Sequence, residues 1–175
     1  MAVPSSLFVK LSMSEEMYGL WLASPIKFIG DYSDWPDMNP AMASRYKGWR
    51  DETRPDEYMS VMEFLDNIAD YARHFCYGYD DAERAARIAY ASHSPKVEDV
   101  AATVAALRGA ADFIDGPSPG FIYVFPFASG GDPEALLRLE RGRSEFLRPS
   151  DSSPDTLCFV NEAEEFIEAM LEDGE

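Results

Sequence analysis

Apolar residues recur along this chain with two different periods, and the switches between them divide it into elements. Leu7 to Leu11 is a short apolar run that reads as a strand, and Ser12 with Glu15 three positions on forms a capping box for a short helix through Met17, Leu20 and Trp21. Pro25 ends that helix. Further along, Val61, Leu65, Ile68, Ala72 and Phe75 recur every three or four residues, predicting a helix that opens at Pro55 and Asp56 and stops at Gly78. Asp80 or Asp81 caps a second helix through Ala82, Ala85, Ala86 and Ala89. A third begins after Pro95, with Val97, Val100, Val104, Leu107, Ala111 and Ile114 facing inward.

Gly116-Pro117-Ser118-Pro119-Gly120 marks a change of regime, because the next run, Phe121 to Phe127, is aromatic and β-branched and reads as a buried strand. Gly130-Gly131 then turns the chain, and the segment beyond that turn has two readings. Asp132-Pro133 offers an N-cap and a first helical position for a helix from Glu134 to Leu139. Alternatively, Leu136 to Leu139 and Ser144 to Leu147 pair as a hairpin around Arg141-Gly142. Leu157 to Val160 reads as a short strand, and Asn161 with Glu164 caps a final helix carrying Phe166, Ile167, Met170 and Leu171. These elements predict one α+β domain spanning 1–175. In it a helical middle section packs on a small, mainly antiparallel sheet formed largely by the C-terminal half. No internal repeat or low-complexity tract interrupts it.

The stretch from Ser24 to Pro55 fits neither period. Pro25, Pro36 and Pro40 punctuate it, and acids alternate there with large aromatics in Asp31, Tyr32, Asp34, Trp35 and Asp37, continued by Tyr46, Trp49, Asp51 and Glu52. An irregular segment of that length in a compact domain is functional or misread. Aromatic anchors among steering carboxylates suit a docking surface for a basic protein. Alternatively, Trp35 and Trp49 pin a long loop to the core.

Charge points the same way. With 15 Lys+Arg against 32 Asp+Glu, the formal charge of −17 repels phosphates, excluding nucleic acid and anionic membranes as expected partners, and attracts basic proteins. Met1 to Lys10 lacks a basic segment followed by a long apolar stretch, and no apolar run approaches the ~18 residues of a membrane span. The default expectation is a cytoplasmic protein.

Candidate chemistry is sparse. Cys76 and Cys158 sit in apolar surroundings without a CxxC pair and are expected to be buried, reduced thiols. His74 and Cys76, two apart on an expected helix, would point to different faces, and His93 could join them only through tertiary packing. Two histidines and two scattered cysteines lack the close ligand pairs of a zinc site, and Asp31, Asp34 and Asp37 lack the EF-hand spacing. Gly130-Gly131 lacks the rest of a phosphate loop, and no nucleophile elbow, HExxH pair or dinucleotide fingerprint occurs. No catalytic residue, metal or cofactor is therefore assigned.

The terminal segment Leu157-Cys158-Phe159-Val160, continued by Asn161-Glu162-Ala163-Glu164-Glu165-Phe166-Ile167-Glu168-Ala169-Met170-Leu171, resembles the closing strand and helix of SUKH-type immunity proteins. The resemblance implies a small protein that neutralises a bacterial toxin, and it carries over no site residue. The expected function is a non-catalytic, acidic binding protein, an immunity protein or inhibitor that covers the active site of a basic toxin or nuclease through the Asp31 to Glu52 positions named above. Two alternatives stand beside it: a hydrolase-like enzyme using His74, His93 or Cys76, and a structural adaptor subunit.

Overall fold

The computed structural model describes residues 4–38, 59–94, 96–127, 130–148, 150 and 153–173. Their elements are β1 (Ser6–Ser12), α1 (Glu15–Ala23), α2 (Val61–Tyr71), β2 (Phe75–Asp80), β3 (Ala85–Tyr90), α3 (Val97–Arg108), β4 (Gly120–Phe125), β5 (Ala135–Glu140), β6 (Arg143–Phe146) and α4 (Pro154–Glu172). Short 3-10 turns lie at Ile29–Asp31, Trp35–Asp37 and Gly109–Phe113. The fold is α+β. All six strands form one antiparallel sheet in the order β2-β3-β1-β4-β5-β6.

Alternation along each strand gives this sheet two faces. Leu7, Val9 and Leu11 of β1, Ile88 of β3, Ile122 and Val124 of β4 and Leu137 and Leu139 of β5 point to one face. There they pack against α1, α2 and α3 through Trp21, Leu65, Val100 and Val104. Phe8, Ala89, Phe121, Tyr123 and Phe125 point to the other face and meet Phe159, Ala163 and Ile167 of α4. Central strands covered on both sides read as near-continuous apolar runs, which is why Leu7–Val9 and Phe121–Phe125 lack a polar alternation. Gly120 begins β4 because a Cβ there would lie 3.0 Å from Leu11 and 3.1 Å from Ile114.

Several local expectations are corrected. Ser12 belongs to β1, and Ser14 is the true cap of α1: its hydroxyl accepts from Met17 N–H, while Asp115 accepts from both its backbone and its hydroxyl at 2.7 Å. Helix α2 begins at Val61 under a Ser60–Glu63 capping box and ends before Phe75; Pro55 and Asp56 lie outside the described residues, as does Pro95. Gly78 lies inside β2, and Ala85, Ala86 and Ala89 belong to β3, so the alanine-rich second helix is a hairpin. Small side chains are needed there because Ala89 and Ala91 lie in the aromatic cluster around Phe8 and Phe159. Of the two readings after Gly131, the hairpin is the correct one, with Gly142 at φ +73° in its turn. The sheet also draws on the whole chain, with its first strand at the centre, and not mainly on the C-terminal half.

The strand expected at Leu157–Val160 is the first part of α4, which begins at Pro154 after the Ser153 cap. The strand and helix that resemble the SUKH closing unit are therefore one helix of 19 residues. Both cysteines are exposed, contrary to expectation: Cys76 lies on an edge strand and Cys158 on the outer side of α4. Among the described residues no helix is long and apolar enough to cross a membrane.

Phe159 stacks on Phe121 with centroids 4.9 Å apart and touches Phe8 at 5.6 Å, so it anchors α4 to the sheet. Phe159→Ala is expected to lower the unfolding free energy by about 3 to 5 kcal/mol. Urea denaturation followed by circular dichroism measures this, and a loss below about 1 kcal/mol would mean that α4 is held elsewhere.

Candidate functional site

The aromatic and acidic segment singled out by its composition is anchored by one buried arginine. Arg108 ends α3 with its side chain only 2% exposed, and a buried guanidinium needs an anionic partner. Asp34 supplies it through two parallel bonds of 2.8 Å. Arg108 also donates to the hydroxyl of Ser144 at 2.8 Å and to its carbonyl at 3.1 Å, which ties the segment to β6. The guanidinium lies 3.9 Å from the centre of the Tyr32 ring, with Trp35 and Phe146 at 5.5 and 5.0 Å. Phe28 N–H donates to Asp31, and the Trp35 indole donates to the Ile29 carbonyl at 2.9 Å, so the two 3-10 turns brace each other.

This arrangement sorts the residues expected to dock a partner. Trp35 is fully buried, because its ring belongs to the core and pins the segment. Asp34 is committed to Arg108, and Tyr32 is half-buried over the same guanidinium. Burial pushes the Tyr32 hydroxyl far above its ordinary value; Arg108 opposes the shift and Asp112, Asp31 and Asp34 add to it, so the phenol stays protonated. Asp31 and Asp37 are exposed. Trp49, Asp51 and Glu52 lie outside the described residues.

A cleft of about 470 Å³ opens beside the clamp, with Asp31, Asp112, Lys27 and Arg143 on its walls and Arg108 at its base. A neighbouring cleft of about 400 Å³ shares Lys27, Asp31, Gly109 and Asp112 with it. Asp37 faces a third, more apolar groove between Met38, Leu136, Phe146 and Leu147. None of the three is lined by a cysteine or a histidine.

The residues of the enzyme alternative are dispersed. His93 is buried, its Nε2 is 2.9 Å from Thr103 Oγ1 on α3, and its ring meets Tyr90 edge-on. Cys76 lies opposite Ala89 on the α4 side of the sheet, so the sheet separates it from His93. His74 precedes β2, and its carbonyl accepts from Ala91 N–H. Although Cys76 is exposed as a residue, partial desolvation of its sulfur against the sheet pushes the thiol up, which disfavours the thiolate; a backbone bond from Ala89 offsets only part of that. Among the described residues no group of three His, Cys, Asp or Glu is placed to hold a metal.

The remaining charge divides into paired and unpaired carboxylates. Lys10 and Arg87 on the α4 face of the sheet bind Asp80, Glu83 and Glu162 in one network; Lys10 reaches Glu83 at 2.8 Å and Glu162 at 2.9 Å. The hydrogen bond from Lys10 holds the Glu83 carboxyl below its usual range, and the backbone N–H of Glu83 does the same for Asp80. On α4, by contrast, Glu164, Glu165, Glu168 and Glu172 are exposed, as is Asp173 at its C-terminal cap, with no base in the last turn and no Lys or Arg anywhere in the helix. None of these five has an ion-pair partner among the described residues. Sequence reasoning missed Arg108, whose only signal was a charged residue in an otherwise apolar stretch, Ala105 to Ala111. Comparison with protein-family profiles, with curated proteins and with solved structures found no match.

Two outcomes test the clamp and the buried imidazole. Asp34→Ala leaves Arg108 buried without a counter-charge and is expected to cost about 3 kcal/mol or more in urea unfolding; adding Arg108→Met should recover a large part of it. Burial lowers the His93 pKa below its ordinary value of 6.5. The unfolded chain therefore takes the proton first as pH falls, so stability declines from about pH 6.5 downward until the folded pKa is passed. His93→Gln should flatten the urea midpoint between pH 7 and 5; an unchanged slope would show that the imidazole does not set it.

Proposed function

We propose that this chain is a non-catalytic acidic binding protein that neutralises a basic partner, acting as an immunity protein or inhibitor over the cationic active site of a bacterial toxin or nuclease. The observation that carries the reading is the outer face of α4. Glu164, Glu168 and Glu172 succeed one another at four-residue spacing, with Glu165 and Asp173 beside them. Like charges at that spacing destabilise a helix, and carboxylates at its C-terminal end oppose its dipole. A row of carboxylates that costs the isolated helix stability becomes favourable against a cationic surface. Asp31, Asp37 and Asp112, also exposed, form a second acidic surface on the opposite side of the sheet, the side that carries the Arg108 clamp.

The dispersal of Cys76, His74 and His93 gives the hydrolase alternative no support. The committed state of Asp34 and Trp35 narrows the aromatic docking surface to Asp31, Tyr32 and Asp37 within the described residues.

Capture from cell extract at low salt, with elution by high salt, supplies the partner, and stopped-flow association of the purified pair tests the reading. Glu164→Lys, Glu168→Lys and Glu172→Lys together should slow association at least tenfold at low ionic strength, with a smaller effect at high salt. The same measurement on Asp31→Lys with Asp37→Lys weighs the other acidic surface. Association that responds to neither set of reversals, or a partner with no excess of Lys and Arg, would overturn the reading.

A further inference from the structure

The two edges of the sheet are treated differently. Strand β6 has four residues, Arg143-Ser144-Glu145-Phe146, and is blunted by charge. Its outward positions are Ser144 and Phe146, since Leu147 N–H donates inward to the Leu136 carbonyl. Arg108 occupies the Ser144 carbonyl, and the adjoining turn is tied down by Gly142 N–H donating to Ala111. That edge is short, charged and partly occupied.

Strand β2, at the opposite edge, is Phe75-Cys76-Tyr77-Gly78-Tyr79-Asp80, with no Lys, Pro or bulge, and no strand pairs with its outer side among the described residues. Ala91 N–H donates to the His74 carbonyl, which sets the ladder: Cys76, Gly78 and Asp80 direct their backbone groups at β3, while Phe75, Tyr77 and Tyr79 turn theirs outward. The side chains of those three are only partly covered, and Tyr71, just before the strand, is 73% exposed. A regular, largely aromatic edge that no described strand covers is a template for another strand.

The charges flanking β2 identify the occupant. The strand is entered through exposed Arg73 and left through exposed Asp81. We propose that a second copy of this chain adds its own β2 antiparallel to this edge, about a two-fold axis through Tyr77, joining the two sheets into one. Only odd-numbered residues offer outward bonds, so in this register Tyr77 lies across from Tyr77 of the second copy and Phe75 from its Tyr79. Antiparallel pairing also brings the bend that enters one strand, with Arg73, to the same end as the turn that leaves the other, with Asp81, so opposite charges meet at both ends of the paired strands. On the other face Cys76 lies across from Gly78 of the second copy, where a side chain at position 78 would meet nothing within 4 Å of its own chain. This pairing does not depend on the proposed function, because it uses neither the acidic face of α4 nor the Arg108 clamp.

Sedimentation velocity at tens of micromolar protein and physiological ionic strength is expected to give twice the 19.6 kDa chain mass, and Tyr77→Lys, which sets two like charges across the axis, should return the chain mass with an unchanged circular dichroism spectrum. In a Cys158→Ser background, Gly78→Cys should join to Cys76 of the second copy on mild oxidation, giving a dimer band on a non-reducing gel that is several-fold stronger than without the Gly78 change. A chain mass at every concentration would overturn the proposal, as would a dimer indifferent to Tyr77→Lys. So would protection of the Phe75, Tyr77 and Tyr79 amides from hydrogen exchange that appears only when a captured basic partner is added, since that partner's strand would then be the occupant.

Discussion

A sheet that is apolar on both faces has to be covered twice, and the rest of this structure depends on how unequally that is done. Helices α1, α2 and α3 share one face, whereas within the described residues the other rests on α4. At roughly 25 cal/mol for each Å² of apolar surface removed from water, the rings of Phe8, Phe121, Tyr123 and Phe125 make that second face a large term held by one helix. The network of Lys10, Arg87, Glu83, Asp80 and Glu162 adds direction to the contact, since it fixes where Glu162, and with it α4, sits over β1 and β3. The inner side of α4 therefore serves the core. Its outer side is left free to carry charge that the fold itself does not use.

The Arg108 cluster solves a different problem. The segment around Tyr32 has no regular backbone ladder of its own, so its polar groups must be satisfied piecemeal. Two short turns, one indole N–H bond and a bidentate ion pair achieve that, and together they seat the segment beside β6. An aromatic, acidic composition that suggests a binding surface is here divided between inward rings and outward carboxylates. Tyr32 lies between the two, its ring face given to Arg108.

What the sequence made legible was local. The amphipathic spacing of α2 and the apolar runs of β1 and β4 were readable, because each element's own pattern matches its burial, whereas α3 is buried on every side from Thr103 to Arg108 and ends before the expected Ala111 and Ile114. Strands β2 and β3 were not: alanines at helical spacing favour a helix on intrinsic propensity, and tertiary packing overrode that preference. The start of α4 was misread because four consecutive apolar residues fit either structure, although Ser153-Pro154 carried the helix signal. Within the site, the likeness of Asp31, Asp34 and Asp37 in sequence concealed their different fates. The contact that separates them joins residues 74 positions apart, and no local pattern encodes it.

The central place of β1 also has a temporal side. Val9 is paired on one edge with Ile88 and on the other with Ile122, so the strand that organises the sheet is made before either of its partners and stays unpaired until the residues up to Tyr90 have been added. At ordinary rates of synthesis that is a delay on the order of several seconds, during which Leu7-Phe8-Val9 is an unpaired apolar segment on a nascent chain. A chaperone that holds short apolar stretches would find a target in Leu7-Phe8-Val9 for as long as that delay lasts.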